Sequence, residues 1–188
     1  MKINKIKITK NHLFWFVILF PYLCLIPAAL WYFKIINDIK GSSFIIINKQ
    51  DYTLSQFDYN GNLLRKFPVA LGKAAGNKIE KGDGRTPEGI FNIVNVEDAS
   101  TWSHDFNDGN GSIQGAYGPN FVRLNVPDQK GIGIHGTHDD NSITKRASEG
   151  CIRMHNKDIK VLVKNIHSAK IVVIIPGVED QNANFKKK

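Results

Sequence analysis

Residues 131–159, GIGIHGTHDDNSITKRASEGCIRMHNKDI, carry a histidine at the end of a short apolar run and a cysteine behind a glycine, two residues ahead of an arginine. GIGIH (Gly131–His135) reads as a strand, and Gly136 leaves room for the imidazole to stand at the rim of a sheet. Cys151 follows after a loop long enough for both side chains to face one cleft. A cysteine attacks as its thiolate, and an ordinary thiol with a pKa of about 8.5 needs a neighbouring base, cation or dipole to ionise at neutral pH. His135 is a base of the right kind. The amides around Gly150 and Cys151 can approach a substrate carbonyl as an oxyanion hole. Arg153 has a fork suited to a carboxylate, and in extended chain it shares a face with Cys151. Together they outline acyl transfer onto sulfur. Each has a plainer reading too: a lone cysteine in a β protein is commonly a small buried apolar group, a strand-end histidine a hydrogen-bonded surface residue, an arginine a solvated charge. His135, His138 and Cys151 are also of zinc-ligand type, although no HxxxH or CxxC spacing accompanies them.

Upstream, Phe44–Asn48 is a β-branched run and Tyr52–Asp58 alternates. Asn60-Gly61 is a hairpin-turn signal ahead of a return strand in LLRKFPVAL, residues 63–71. Ile90–Val96 and Phe121–Val126 read as further strands. The loop between Gly72 and Gly89 contains Asp83 and Arg85, expected as a loop-stabilising pair. Residues 97–119, with Gly109, Gly111, Gly115, Gly118 and Pro119, show no period and read as a long excursion of the kind that carries function. His104 and His138 read as loop residues. Downstream, Asn156 is an N-cap type of residue, Asp158 lies in the first turn, and Ile159, Leu162 and Val163 share a helical face, predicting a helix over 156–163. A last strand, Ile171–Ile175, stops at Pro176-Gly177. About seven strands to one firm helix predict a mostly β fold, a sandwich or partly closed barrel with one or two helices.

The chain's 188 residues fit one domain of ordinary size. The formal charge of +8 lies mostly at the ends: Lys2, Lys5, Lys7 and Lys10 in front, Lys186, Lys187 and Lys188 behind. The part between is nearly neutral, and with no basic helix, basic–aromatic interleaving or zinc-finger spacing, a nucleic-acid partner is not expected. Leu13–Phe33, LFWFVILFPYLCLIPAALWYF, holds no charged residue. As a helix it would extend roughly 31 Å, enough for a hydrocarbon core of about 30 Å. The lysines before it predict a cytoplasmic N-terminus and an outward-facing remainder. A cleaved signal peptide is the competing reading; Ile26 and Pro27 before Ala28-Ala29, and the bulky residues after, argue for an uncleaved anchor. The expected organisation is a basic tail (1–12), a transmembrane anchor (13–33), a linker (34–41), a catalytic domain (42–178) and a polar basic tail (179–188). Cys24, inside the span, is out of reach of Cys151, so Cys151 is expected as a free thiol outside the reducing cytosol.

The stretch 131–159 resembles the signature of the L,D-transpeptidase (YkuD-type) catalytic domain, a strand-end His-Gly followed by Ser/Thr-x-Gly-Cys-apolar-Arg/Asn. GDGRTPEGIFNI (Gly82–Ile93), YGPNFVRLN (Tyr117–Asn125) and VVIIP (Val172–Pro176) are similar, in order, to that family's entry loop and strand, central strand and closing strand. The resemblance covers roughly Ser42 to Gly177. It implies a bacterial cell-wall enzyme that attacks the bond after the third residue of a peptidoglycan tetrapeptide stem, releases D-alanine and holds the rest as a thioester. An amine on another stem, on a lipoprotein or on a D-amino acid then takes the acyl group; water as acceptor gives an L,D-carboxypeptidase or a hydrolase of wall-attached protein. By the resemblance Cys151 is the nucleophile, His135 the base and Gly136 the carbonyl that orients it. Ser148 and Gly150 shape the turn, Arg153 binds substrate carboxylate and Tyr117 lines the pocket. No cofactor or metal is implied, and carbapenem acylation of Cys151 is. One departure stands out: Glu149 occupies a position where many members have histidine, either as a solvent-facing variation or as a carboxylate that raises the thiol's pKa. A non-catalytic wall-binding module on the same framework remains the third reading.

Overall fold

In the computed structural model, which describes residues 23, 25–37, 42–106, 109, 111–166 and 169–185, every second residue of β1 (Ser43–Asn48) is buried, Ile45 and Ile47 completely. That alternation is the signature of a strand with one face on a core. β1 lies between β2 (Thr53–Asp58), its antiparallel hairpin partner, and the parallel β12 (Ala169–Ile175). β3 (Leu63–Pro68), the ten-residue β5 (Gly89–Asp98), β8 (Asn120–Asn125), β9 (Gly133–His135) and β11 (Ile152–Arg153) complete a curled eight-stranded sheet of order β11-β9-β8-β5-β12-β1-β2-β3. Two small ribbons stand apart from it: β4 (Leu71–Gly72) with β10 (Arg146–Ser148), and β6 (Ser103–Asp105) with β7 (Ser112–Gln114).

The core runs along one face of the sheet, from Ile45, Ile47 and Leu54 through Val172 and Ile174 to Val122, Leu124, Ile134 and Ile152. Residues 25–37 form a helix, α1, and α2 (Asn156–Lys164) adds Ile159 and Leu162 to that core. A third helix, α3 (Val178–Phe185), follows β12.

The mostly β class holds, with the partly closed barrel rather than the sandwich; α2 and α3 are the one or two helices expected in it, and α1 overlaps the N-terminal segment read as an anchor. The return strand predicted over 63–71 breaks at Val69-Ala70, where Ala70 pairs instead with Arg153. The excursion at 97–119 contains the β6–β7 hairpin, whose strands are too short to show a period. Residues 179–188, expected as a polar tail, supply most of α3; that helix has no apolar stripe because it docks through polar groups, Asp180 and Asn184. The N-cap of α2 is His155 rather than Asn156, whose side chain is engaged elsewhere.

The chain divides into two compact units, residues 1–40 and 41–188. Of the first, α1 is described, with Leu25, Ile26, Leu30, Trp31, Tyr32 and Phe33 all exposed. Among the described residues no helix is long and apolar enough to cross a membrane. The basic tail 1–12, Cys24 and most of the span predicted over 13–33 lie outside the described residues.

Candidate active site

β9 and β11 run parallel, with Ile134 opposite Ile152 and His135 opposite Arg153. This register brings the two halves of the 131–159 stretch to one sheet edge. Residue 151 is the last before β11, so its side chain emerges at the mouth of a cleft shared with the end of β9. Ala70 and Arg153 exchange backbone hydrogen bonds of 2.8 and 3.0 Å, holding β11 on its other side.

The turn into Cys151 is built by Ser148 and Gly150. The Ser148 hydroxyl donates to the Cys151 carbonyl and accepts the Gly150 N–H at 3.1 Å. Gly150 has φ +133°, a conformation that L side chains rarely adopt, and a Cβ there would meet the Arg85 carbonyl at 2.7 Å. Glycine is therefore required by both dihedral and space.

His135 is 3% exposed. Phe121 stacks on its ring at 5.4 Å and Tyr117 meets it edge-on at 4.9 Å. Its Nδ1 lies 2.6 Å from the Gly136 carbonyl. A carbonyl only accepts, so Nδ1 carries the proton and the neutral ring keeps Nε2 as its acceptor. Burial pulls the imidazole down to about 3, against the Gly136 hydrogen bond and with the charge of Arg153 adding to the fall. Asn156 clamps the segment after His135: its Oδ1 accepts the Thr137 N–H and its Nδ2 donates to the Thr137 carbonyl, both at 2.9 Å. Sequence reasoning assigned Asn156 only to the helix start; its clamp spans 19 residues and has no local signal.

Cys151 is a free, partly exposed thiol whose Sγ donates to the Gly131 carbonyl at 3.4 Å. Burial pushes the thiol up. A Gly133 backbone hydrogen bond and the charges of Arg153 and Lys78 oppose this, and Glu149 adds to it as the last cause. Thiol and imidazole thus both rest in their neutral forms at pH 7. Glu149 is chiefly engaged elsewhere: its carboxylate meets His104 Nε2 of β6 at 2.9 Å. His104 in turn packs edge-on against Phe106 and Tyr117. The residue read as a loop histidine is therefore the partner of the one position that departs from the family pattern.

Cys151, His135, Arg153, Ser148 and Tyr117 line one cavity of about 360 Å³, together with His104, Phe106, Glu149 and a lysine-rich wall. Gly136 and Gly150 are not part of its lining and act through the backbone, on His135 and in the Cys151 turn. Asp83 stabilises the 72–88 loop, but with Lys78 rather than with the Arg85 side chain. It accepts from Lys78 Nζ at 2.7 Å and from the backbone of Ile79, Glu80 and Arg85. Despite its burial, those bonds draw the carboxyl down to about 2. Among the described residues no three His, Cys, Asp or Glu side chains gather as a metal site.

Fold and site together define a mostly β domain whose cleft gathers a thiol, a neutral imidazole and a guanidinium. The chain belongs to the YkuD family, the L,D-transpeptidase catalytic domain, whose model matches residues 42–174. It is 29% identical to YqjB of Bacillus subtilis, which is named as an L,D-transpeptidase, over 80% of this chain and 79% of that one. Among solved structures, an L,D-transpeptidase from Mycobacterium smegmatis shares the fold with a TM-score of 0.51 at 16% identity, over 71% of this chain and 58% of that one. The L,D-transpeptidase LdtMt1, solved in complex with imipenem, shares it at 0.50 and 18%, over 71% and 59%. The chain thus spans less than two thirds of those two solved chains.

Proposed function

We propose that this protein is a peptidoglycan L,D-transpeptidase that works through a thioester on Cys151. The observation that carries the reading is the fixed tautomer of His135, tied through Nδ1 to Gly136 and sharing a cavity with the Cys151 thiol. In this mechanism His135 Nε2 takes the thiol proton as Sγ bonds to the carbonyl carbon of the stem's third residue. The backbone N–H of Cys151 receives the oxyanion, since the Gly150 N–H is already given to the Ser148 hydroxyl. Collapse breaks the C–N bond, His135 returns the proton to the departing D-alanine amine, and the tripeptide remains on sulfur. An acceptor amine then attacks the thioester carbonyl, losing its proton to His135, and the thiol is regenerated. Arg153, buried and without an ion-pair partner among the described residues, receives the stem's terminal carboxylate.

Mass spectrometry of the full chain with disaccharide-tetrapeptide and an acceptor amine tests this. Loss of D-alanine with a cross-linked or exchanged product is expected, with none from Cys151→Ala. A carbapenem should add its own mass to the wild type and not to that variant, since the thiol opens the β-lactam ring and keeps the acyl group. Tripeptide alone would move the reading to hydrolysis; activity surviving in Cys151→Ala would remove the thioester altogether.

The same reading places the domain outside the cytoplasmic membrane, held by an anchor over residues 13–33. Its support is the charge-free apolar span and the exposed apolar side chains of α1, with Trp31, Tyr32 and Phe33 at the end where an interface belt belongs. The protein should stay with membranes through an alkaline carbonate wash and be digested by protease added to spheroplasts. A mature N-terminus near Ala29 would refute the anchor.

A further inference from the structure

The cavity is unevenly charged. Lys73, Lys78, Lys81, Lys130 and Arg153 line it, against the single carboxylate of Glu149, which is held by His104. Lys78 is neutralised by Asp83, its Nζ 2.7 Å from that carboxylate. Lys73, Lys81 and Lys130 make no ion pair among the described residues, although the folded part of the chain is close to neutral overall.

These lysines are held in one wall. The Lys73 backbone N–H donates to the Ser148 carbonyl at 2.8 Å, joining it to the turn that leads to Cys151. Its stem lies over Gly84, where a Cβ would meet Lys73 Cγ at 2.9 Å. Gln129, next to Lys130, donates from Nε2 to the Ile79 carbonyl at 3.3 Å, linking the second lysine-bearing loop to the first. His104, Phe106 and Tyr117 line the same cavity, with the Arg153 guanidinium 5.1 Å over the Phe106 ring.

Arg153 is the second observation. It is 6% exposed, its Nε has no hydrogen-bond partner, and it pairs with no carboxylate among the described residues. A buried guanidinium left in this state is completed by an anion from the ligand. The cleft therefore offers an anionic ligand two kinds of partner: a buried fork over Phe106 and a set of solvated lysines.

A donor stem whose scissile carbonyl lies at Cys151 has its leaving D-alanine on one side and its first three residues on the other. With the terminal carboxylate at Arg153, the second and third residues are left to the rest of the cavity, which the lysines line. Those residues carry side-branch carboxyls, the α-carboxyl of the γ-linked glutamate and, where the third residue is diaminopimelate, its distal carboxyl. They occur as free acids or as amides. We propose that the Lys73–Lys81–Lys130 wall is a carboxylate subsite that selects stems with these groups as free acids over amidated ones. The inference rests on the proposed function for the direction of the stem.

The test measures binding by titration calorimetry on the detergent-solubilised full chain carrying Cys151→Ala, so that nothing turns over. The probes are two tetrapeptide stems that differ only in having those carboxyls free or amidated. The free acid should bind about tenfold more tightly, a preference that shrinks with salt as solvated charge pairs do. Adding Lys73→Gln, Lys81→Gln and Lys130→Gln should bring the two affinities together, with the melting temperature showing that the variant is folded. Equal affinity for both stems, a preference for the amide, or a preference that survives the lysine replacements overturns the subsite alone. Failure of either stem to bind overturns the subsite and the proposed function together.

Discussion

Replacement of His135 by Gln should lower turnover on a tetrapeptide stem by about a thousandfold, the scale at which a positioned acid–base group contributes. It should also change how the protein responds to acid. The wild-type imidazole rests at about 3 when folded, because burial between Phe121 and Tyr117 disfavours its cation. Unfolded, it returns to about 6.5. Between those values the unfolded chain binds the extra proton and the folded one does not. Stability from this group is therefore complete above about 6.5 and falls as pH drops towards 3, by on the order of 4 kcal/mol across the window. Chemical denaturation at a series of pH values should show that loss in the wild type and a shallower slope in His135→Gln. The same low pKa means that kcat/KM on the wild type should show no acid limb near 6.5, since the base stays unprotonated well below it. A limb at 6–7, or equal acid slopes for the two proteins, would remove the buried neutral imidazole from the account.

That environment was only partly legible in the sequence. GIGIH showed a strand ending in a histidine, and Gly150-Cys151 showed a place where backbone amides can approach a substrate, because both signals are local in the chain; the turn itself came from the family pattern. The family pattern added the pairing of the two. What surrounds His135 was not visible: Phe121 read as a strand residue and Tyr117 as a pocket residue, and only the β8–β9 register, with Phe121 opposite His135, turns them into an aromatic sleeve. Glu149 read as a departure with two outcomes, and its real partner, His104, lies 45 residues away on a three-residue strand with no periodicity to announce it. Asn156 fits a helix start so well that nothing points to its grip on Thr137. Local patterns reported backbone state; the contacts that set protonation and orientation came from distant strands. The same distance hid α3. VEDQNANF has no apolar face from which to predict docking, and its anchor is a carboxylate whose partner sits 131 positions earlier in a turn.

Removing that anchor has the largest expected effect on stability. Lys49 is 1% exposed, and its Nζ donates to the Gly76 carbonyl at 3.0 Å and the Thr86 carbonyl at 3.2 Å. It also meets the carboxylates of Glu88 at 2.8 Å and Asp180 at 2.9 Å. Asp180, fully buried, receives further bonds from the Gly76 and Gly177 N–H groups and from Arg146 Nη2. Burial alone would push its carboxyl up, but Lys49 and those N–H groups hold it below the usual carboxylate range. Taking Asp180 from this network leaves it one negative charge short, with Glu88 as the remaining carboxylate on Lys49 and two amides unbonded, so Asp180→Ala should cost about 3–5 kcal/mol. In a domain of this size that lowers the melting temperature by roughly 10 °C. Lys49→Met should cost a similar amount, and the double variant less than the sum, because the second change removes the charge that the first stranded. The damage should reach the active site through Arg146, since that residue opens β10, whose last member is Ser148 of the Cys151 turn. Carbapenem acylation of folded Asp180→Ala, measured below its melting temperature, should therefore be slower than that of the wild type. Acylation at the wild-type rate would confine the network to holding α3, and an unchanged melting temperature would mean that the four charges are satisfied without one another.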